Sequence, residues 1–202
     1  MRQHDGVRFL RRDPVMRGII ASVGEYKLRR RNRYFAVLVE SIISQQLATR
    51  AAEAIFKKFC GLYPRFPTAT EILATRRSVL RRAGLSGMKV EYLKDLSRRV
   101  DSGQVRLERL PRMTDGEVVA HLTQVKGIGR WTAEMFLIFS LCREDVLPVQ
   151  DLGLQKGVQR AFSLPRLPTP KEVEELADRW RPYRTVATWY LWKSLQKFDR
   201  IG

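Results

Sequence analysis

The chain has 202 residues, 44% of them hydrophobic, enough to bury a substantial core in one domain or two small lobes. Its 38 Lys and Arg outnumber 21 Asp and Glu, a net charge of +17 that favours a polyanionic partner and steeply salt-dependent binding. No apolar run approaches about eighteen residues and no basic amphipathic helix isolates an apolar face, which argues against a membrane partner.

The N-terminal MRQHDGVRFLRRD lacks the apolar stretch of a signal peptide. The two cysteines, Cys60 and Cys142, each lie in an apolar helical stretch. They read as reduced core residues of a cytoplasmic protein, and two thiols are too few to ligate an iron–sulfur cluster.

In chain order the segments carry helical rather than alternating periodicity, which predicts an all-α fold. Asp13 and Pro14 cap and open a short helix reaching about Ser22. Arg29, Arg30, Arg31 and Arg33 form a basic run, a phosphate-steering patch or a solvated charged turn, ahead of an apolar helix over Tyr34–Ser44. After Gln45 and Gln46 a further helix ends near Gly61; Pro64 and Pro67 break the chain, and Thr68 or Thr70 caps the next helix. Ser78–Ala83 is a helical turn stopped by Gly84, and Met88–Val100 is amphipathic. Leu107, Leu110 and Pro111 read as a surface linker.

Thr114 or Asp115 caps a helix through Leu122, which enters the turn Lys126-Gly127-Ile128-Gly129. Arg130–Leu141 is strongly apolar, Leu152–Phe162 follows Asp151, and Pro165, Pro168 and Pro170 mark a loop. Helices over Lys171–Arg181 and Tyr183–Phe198 close the chain, with no internal repeat along its length.

Two glycines flanking an isoleucine between helices allow close backbone approach to a bulky anion, with the amides of the turn directed at a phosphate. Lys126 and Arg130 add positive charge beside it. Asp151 places one carboxylate ahead of the next helix, and the chain holds only His4 and His121 as histidine acids.

The stretches ESIISQQLATRAAEAI (40–55), RAGLSGMKVEYLKDLS (82–97), LTQVKGIGRWTAEMFL (122–137), LPVQDLGLQKGVQ (147–159) and RPYRTVATWYLW (181–192) occur in that order. In this the chain resembles the helix-hairpin-helix (HhH-GPD) DNA glycosylases, and within them the alkylation-repair branch of the 3-methyladenine DNA glycosylase II type, over roughly residues 10–198. The resemblance implies a two-lobed helical domain with the active site in the cleft between lobes. One lobe spans about 34–140 and the other about 1–33 plus 145–202. It implies a compact form without the N-terminal α+β lobe of longer members, acting as a monomer on double-stranded DNA.

Carried over position by position, the resemblance makes Asp151 the catalytic aspartate. It makes Gln46 or its neighbour Leu47 the side chain inserted where a nucleotide is flipped out. Gly127 and Gly129 contact phosphate, and the carbonyls of Thr123, Val125 and Ile128 hold sodium or potassium. Trp131 stands where bifunctional relatives have a nucleophilic lysine, and Trp192 matches a tryptophan of the base pocket. Met135 and Leu152 replace pocket tyrosines of the well-known bacterial type, and Tyr183 is a further pocket candidate. Trp180 and Trp189 are assigned to the core. Lys89 and Tyr92 belong to a family motif, with Lys89 read as a surface cation or a helix cap.

The chemistry suits these residue types. Cleaving an N-glycosidic bond develops positive charge on the sugar, which a carboxylate stabilises. An N3- or N7-alkylated purine is already cationic and leaves without a general acid, and an indole face favours that cation. With Trp131 in place of lysine no Schiff base forms, so the expected product of 3-methyladenine or 7-methylguanine release is an abasic site. A catalytically inactive DNA-binding module and a glycosylase for other damaged bases are the alternatives.

Overall fold

The computed structural model describes residues 2–198, with side chains placed from Asp5 to Leu195; the side chain of His4 lies outside that range. The described residues are helical with no strand among them. They divide into two compact units, one comprising Met1–Arg30 with Leu137–Gly202 and the other Arg31–Phe136.

The first unit begins with α1 (Arg2–Leu10), which sequence periodicity does not predict. Its few apolar residues are too short a run to show a period, and tertiary packing supplies the helix instead. Gly6 meets the Tyr183 ring and Val186, and Phe9 packs on Tyr183 with ring centres 5.4 Å apart. In α2 (Pro14–Val23) the predicted start holds: Asp13 Oδ1 accepts the Val15 and Met16 N–H groups while Pro14 opens the helix.

The second unit runs through α3 (Tyr34–Ser44), α4 (Thr49–Cys60), α5 (Ala69–Ala74), α6 (Arg77–Arg82), α7 (Gly87–Asp101), α8 (Asp115–Leu122) and α9 (Arg130–Phe136). Leu38, Ile42, Phe59, Ile72, Leu93, Leu110 and Phe136 are among its fully buried side chains. α7 packs against α3, α5 and α6, and Lys94 shows how far it is built in. The Lys94 ammonium is buried and donates to the Ile72, Leu73 and Thr75 carbonyls at 2.6–2.8 Å, closing the C-terminal end of α5. The expected surface linker at Leu107–Pro111 is instead a 3₁₀ helix (Leu107–Arg112) that buries Leu107 and Leu110. Two leucines three apart meet one side of a 3₁₀ turn, a spacing too short to register as periodicity.

Back in the first unit, the apolar run after α9 widens into a π-helical turn (Leu137–Leu141), followed by α10 (Leu152–Ala161), α11 (Pro170–Ala177) and α12 (Arg184–Phe198). Cys60 and Cys142 are free thiols, half-buried rather than in the core as the sequence suggests. One short motif recurs in the chain, where no internal repeat is expected. Arg65-x-Pro67-Thr68-x-x-Glu71 and Arg166-x-Pro168-Thr169-x-x-Glu172 open α5 and α11 with the same device. In each, the Thr hydroxyl accepts the Glu N–H, the Glu carboxylate accepts the Thr N–H, and the Arg guanidinium clamps that carboxylate. Arg166 and the Thr169 amide and hydroxyl draw the Glu172 carboxyl down from its ordinary 4.5 to about 2.

Candidate functional site

The glycine turn joins α8 to α9 as expected. Thr114 caps α8 with Glu117 reaching back, and Thr123 ends it. The Val125 N–H then donates to the Leu122 carbonyl and the Ile128 N–H to the Val125 carbonyl, at 3.1 and 3.0 Å. Val125 and Ile128 turn their side chains into the core, which leaves Lys126, Gly129 and Arg130 exposed. Gly127 has φ 82°, and a Cβ there would lie 2.2 Å from the Tyr92 ring, so only glycine fits. At Gly129 a Cβ would meet nothing within 4 Å of protein.

Three groups hold this turn from behind. The Lys126 N–H donates to Asp95 Oδ2 at 2.9 Å, the Gln45 amide donates to the Gly127 carbonyl at 2.7 Å, and Tyr92 lies against Gly127. The amides of the turn are thus not all available to a phosphate, because that of Lys126 is committed to Asp95. Burial opposes ionisation of Asp95, but the Lys126 amide and the Arg99 guanidinium outweigh it and hold the carboxyl below the usual carboxylate range. Arg130 directs its Nε to the buried Glu134 carboxylate at 2.9 Å, one turn along α9. His121, on α8, accepts the Arg106 N–H through Nε2.

Gln46 adopts φ 55° and is exposed, as is the adjacent Leu47 at 37%. Lys89 serves as a helix cap: its ammonium donates to the Ile43 carbonyl in the last turn of α3 at 2.6 Å. The basic run is spent largely on the protein itself. Arg31 pairs with Glu40, Arg33 lies over the Phe66 ring, and Arg30 donates to the Ser140 carbonyl. Trp131 and Met135 sit on α9 in the second unit, Trp131 47% exposed and Met135 half-buried.

In the first unit Asp151 is the N-cap of α10, and its Oδ1 accepts the Leu154 N–H at 2.7 Å. The same oxygen accepts the Trp192 indole N–H from α12 at 2.8 Å. Trp192 in turn stacks on Phe139 of the π turn, with planes 14° apart and ring centres separated by 5.9 Å. A Cβ on Gly153 would fall 3.0 Å from Asp151 Oδ1 and 3.1 Å from the Trp192 ring, so the missing side chain leaves room for this pair. Leu152, beside it, is 52% exposed. A hollow of about 380 Å³ adjoins Trp192, lined also by Lys27, Leu28, Arg29, Phe139, Trp189 and Lys193.

The structure therefore brings Asp151 and Trp192 together and attaches Phe139, which sequence reasoning misses because it lies in an unbroken apolar run. Sequence reasoning also misses the contacts that Asp95 and Gln45 make with the turn, since their partners are backbone atoms 31 and 82 residues away. Tyr183 is half-buried and packs its ring on Phe9 and Gly6 of α1. Trp180 is fully buried and donates to Asp13, and Trp189 makes edge-on contacts with Tyr26 and Tyr190, so both belong to the core as expected.

Comparison with known proteins adds four findings. Residues 39–182 match the family described as "HhH-GPD superfamily base excision DNA repair protein". The DNA-3-methyladenine glycosylase 1 of Schizosaccharomyces pombe is 37% identical over 193 residues, covering 93% of this chain and 85% of that protein. Among solved structures, the 3-methyladenine DNA glycosylase Mag1 of S. pombe in complex with abasic DNA superposes with a TM-score of 0.85 at 36% identity, covering 94% and 95% of the two chains. A DNA-3-methyladenine glycosidase from Bacillus halodurans gives 0.86 at 35%, covering 95% and 89%.

Proposed function

The chain belongs to the HhH-GPD superfamily of base excision DNA repair proteins, and on that footing we propose that it is a monofunctional DNA glycosylase releasing alkylated purines from duplex DNA. The observation that carries the assignment to a catalyst rather than a binding module is the Asp151–Trp192 pair. A module that only grips phosphate gains nothing from a carboxylate pinned by two donors, and loses affinity if that charge lies near the DNA.

In the proposed reaction the target nucleotide leaves the helical stack, and Gln46 or Leu47 fills the space it vacates. The exposed turn, with Gly127 and Gly129 and the side chains of Lys126 and Arg130, grips the backbone. As the glycosidic bond lengthens, Asp151 faces the positive charge developing on the sugar, and water completes the hydrolysis. Trp131, Trp192, Met135 and Leu152 are the proposed contacts to the base; the indole faces favour a cationic 3-methyladenine or 7-methylguanine. Trp131 offers no amine, so the abasic strand stays intact.

The Thr123, Val125 and Ile128 carbonyls are hard, neutral oxygen donors on one turn, a set that suits sodium or potassium better than a divalent ion. Such a cation would add positive potential beside the phosphate. All the proposed residues lie in one chain, so the reading takes the protein as a monomer, and no redox cofactor or iron–sulfur cluster enters it.

Base release from methylated duplex DNA tests the assignment. Wild type is expected to release 3-methyladenine without cutting the strand or forming a borohydride-trapped adduct. Asp151→Asn should slow release by about 10²–10³-fold or more with little change in DNA affinity. Equal release by both proteins would remove Asp151 from the mechanism, and release by neither would favour the binding module.

A further inference from the structure

Gln46 holds a left-handed backbone, which for a residue with a Cβ persists only where its surroundings over-determine it. Those surroundings act from both sides of the loop between α3 and α4. On one side Lys89 of α7 holds the Ile43 carbonyl, and the Leu47 N–H closes back on the Ser44 carbonyl at 3.2 Å. On the other, Gln45, the residue immediately before Gln46, spans to the glycine turn and donates to the Gly127 carbonyl. Gln45 is half-buried, so this hydrogen bond is partly shielded from competing water.

α7 completes the arrangement. Lys89, Tyr92 and Asp95 recur every three residues along one inclined side of that helix. Lys89 takes the loop, Tyr92 takes Gly127, and Asp95 takes the Lys126 amide. The loop and the glycine turn are thereby two ends of one braced piece within the second unit, and Gln45 is the direct strut between them.

We propose that Gln45 is a positioning residue that couples the loop bearing Gln46 to the phosphate-gripping turn, so that seating the turn on the DNA backbone also presents Gln46 to the stack. The proposal rests on the base-flipping reading above. A stiff link matters because a loop ordered in advance loses no conformational freedom on insertion, and the binding energy of the anchor is then transmitted to the wedge.

The test separates anchoring from unstacking without requiring catalysis. Gln45→Met keeps the side-chain length and removes the donor, Gln45→Glu sets an acceptor against the Gly127 carbonyl, and Gln45→Lys supplies a donor again. Two quantities are read: affinity for unmodified duplex, and the fluorescence of 2-aminopurine placed beside a stable abasic analogue, which reports unstacking on binding.

Gln45→Met and Gln45→Glu are expected to keep duplex affinity within about twofold and to lose about tenfold in the unstacking equilibrium, with Gln45→Lys recovering most of it. Combined with Gln46→Ala, Gln45→Met should cost nothing further. The proposal is overturned if duplex affinity falls as much as unstacking, if the two substitutions multiply, or if Gln46→Ala leaves unstacking unchanged. Should wild type release no base, the proposed activity falls, while the coupling between Gln45 and Gln46 is still decided by these measurements.

Discussion

Trp192 illustrates how one side chain can carry two roles that a sequence cannot separate. Its matched position suggests an aromatic wall for the base, and it does line a hollow with Phe139. Its indole N–H, however, points at Asp151, where together with the Leu154 amide it fixes one carboxylate oxygen. Fixing the oxygen fixes the direction in which negative charge is presented, which is what an oxocarbenium-like sugar requires. Trp192→Phe keeps the stack on Phe139 and removes only the donor. A hydrogen bond to a charged group is worth about 1.5–3 kcal/mol, so single-turnover base release should fall by about tenfold or more with KM nearly unchanged. A rise in KM at constant kcat would return Trp192 to the role of pocket wall alone.

At the scale of elements, the two glycines of the turn part company. Both fit a phosphate-binding hairpin equally well on paper, but Gly127 is enclosed by Tyr92 and held at positive φ, whereas Gly129 is open. Gly127→Ala should therefore lower the melting temperature and weaken DNA binding together, because Tyr92 and α7 must give way. Gly129→Ala should leave the melting curve near wild type and weaken only DNA binding, since the added methyl meets the phosphate rather than the protein. Thermal melts paired with a binding titration distinguish the two, and a stability loss in Gly129→Ala would contradict the assignment. The same scale explains the caps. Glu71, Glu117 and Glu172 all have lowered pKa values through their Thr partners or, for Glu172, first through Arg166. Each supports its helix above the ordinary carboxylate range and loses that support as pH falls through its folded value.

Over the whole molecule the excess of 38 basic over 21 acidic residues is the dominant electrostatic fact. Several arginines are nonetheless neutralised locally, among them Arg31 by Glu40, Arg77 by Glu91 and Arg184 by Asp145. The remaining cations should still make binding to duplex DNA fall by about 10³-fold or more between 50 and 200 mM salt if about six phosphates are contacted. Repeating the titration with tetramethylammonium in place of sodium or potassium, at equal ionic strength, examines the proposed carbonyl site. Weaker binding with the large cation is expected, and identical curves would remove the cation from the turn.

How much was legible beforehand follows from the range over which each signal acts. Asp13 with Pro14, Thr114 with Glu117, and the apolar run Tyr34–Ser44 could be read directly, because capping and helical periodicity are settled within a few residues. The family, the glycine turn and the place of Asp151 just ahead of α10 were legible for a similar reason, as motifs of short span. By contrast, α1 and the buried 3₁₀ turn at Leu107–Arg112 needed their packing partners to be known.

The sequence by itself determined an all-helical, strongly basic chain and the residue types available for its chemistry. Only the tertiary structure decided that Trp192 donates to Asp151, that Asp95 takes an amide from the turn, and that Gln45 joins the α3–α4 loop to the glycine turn. Those choices are hydrogen bonds between groups 31 to 82 residues apart, and folding alone brings their donors within reach of their acceptors.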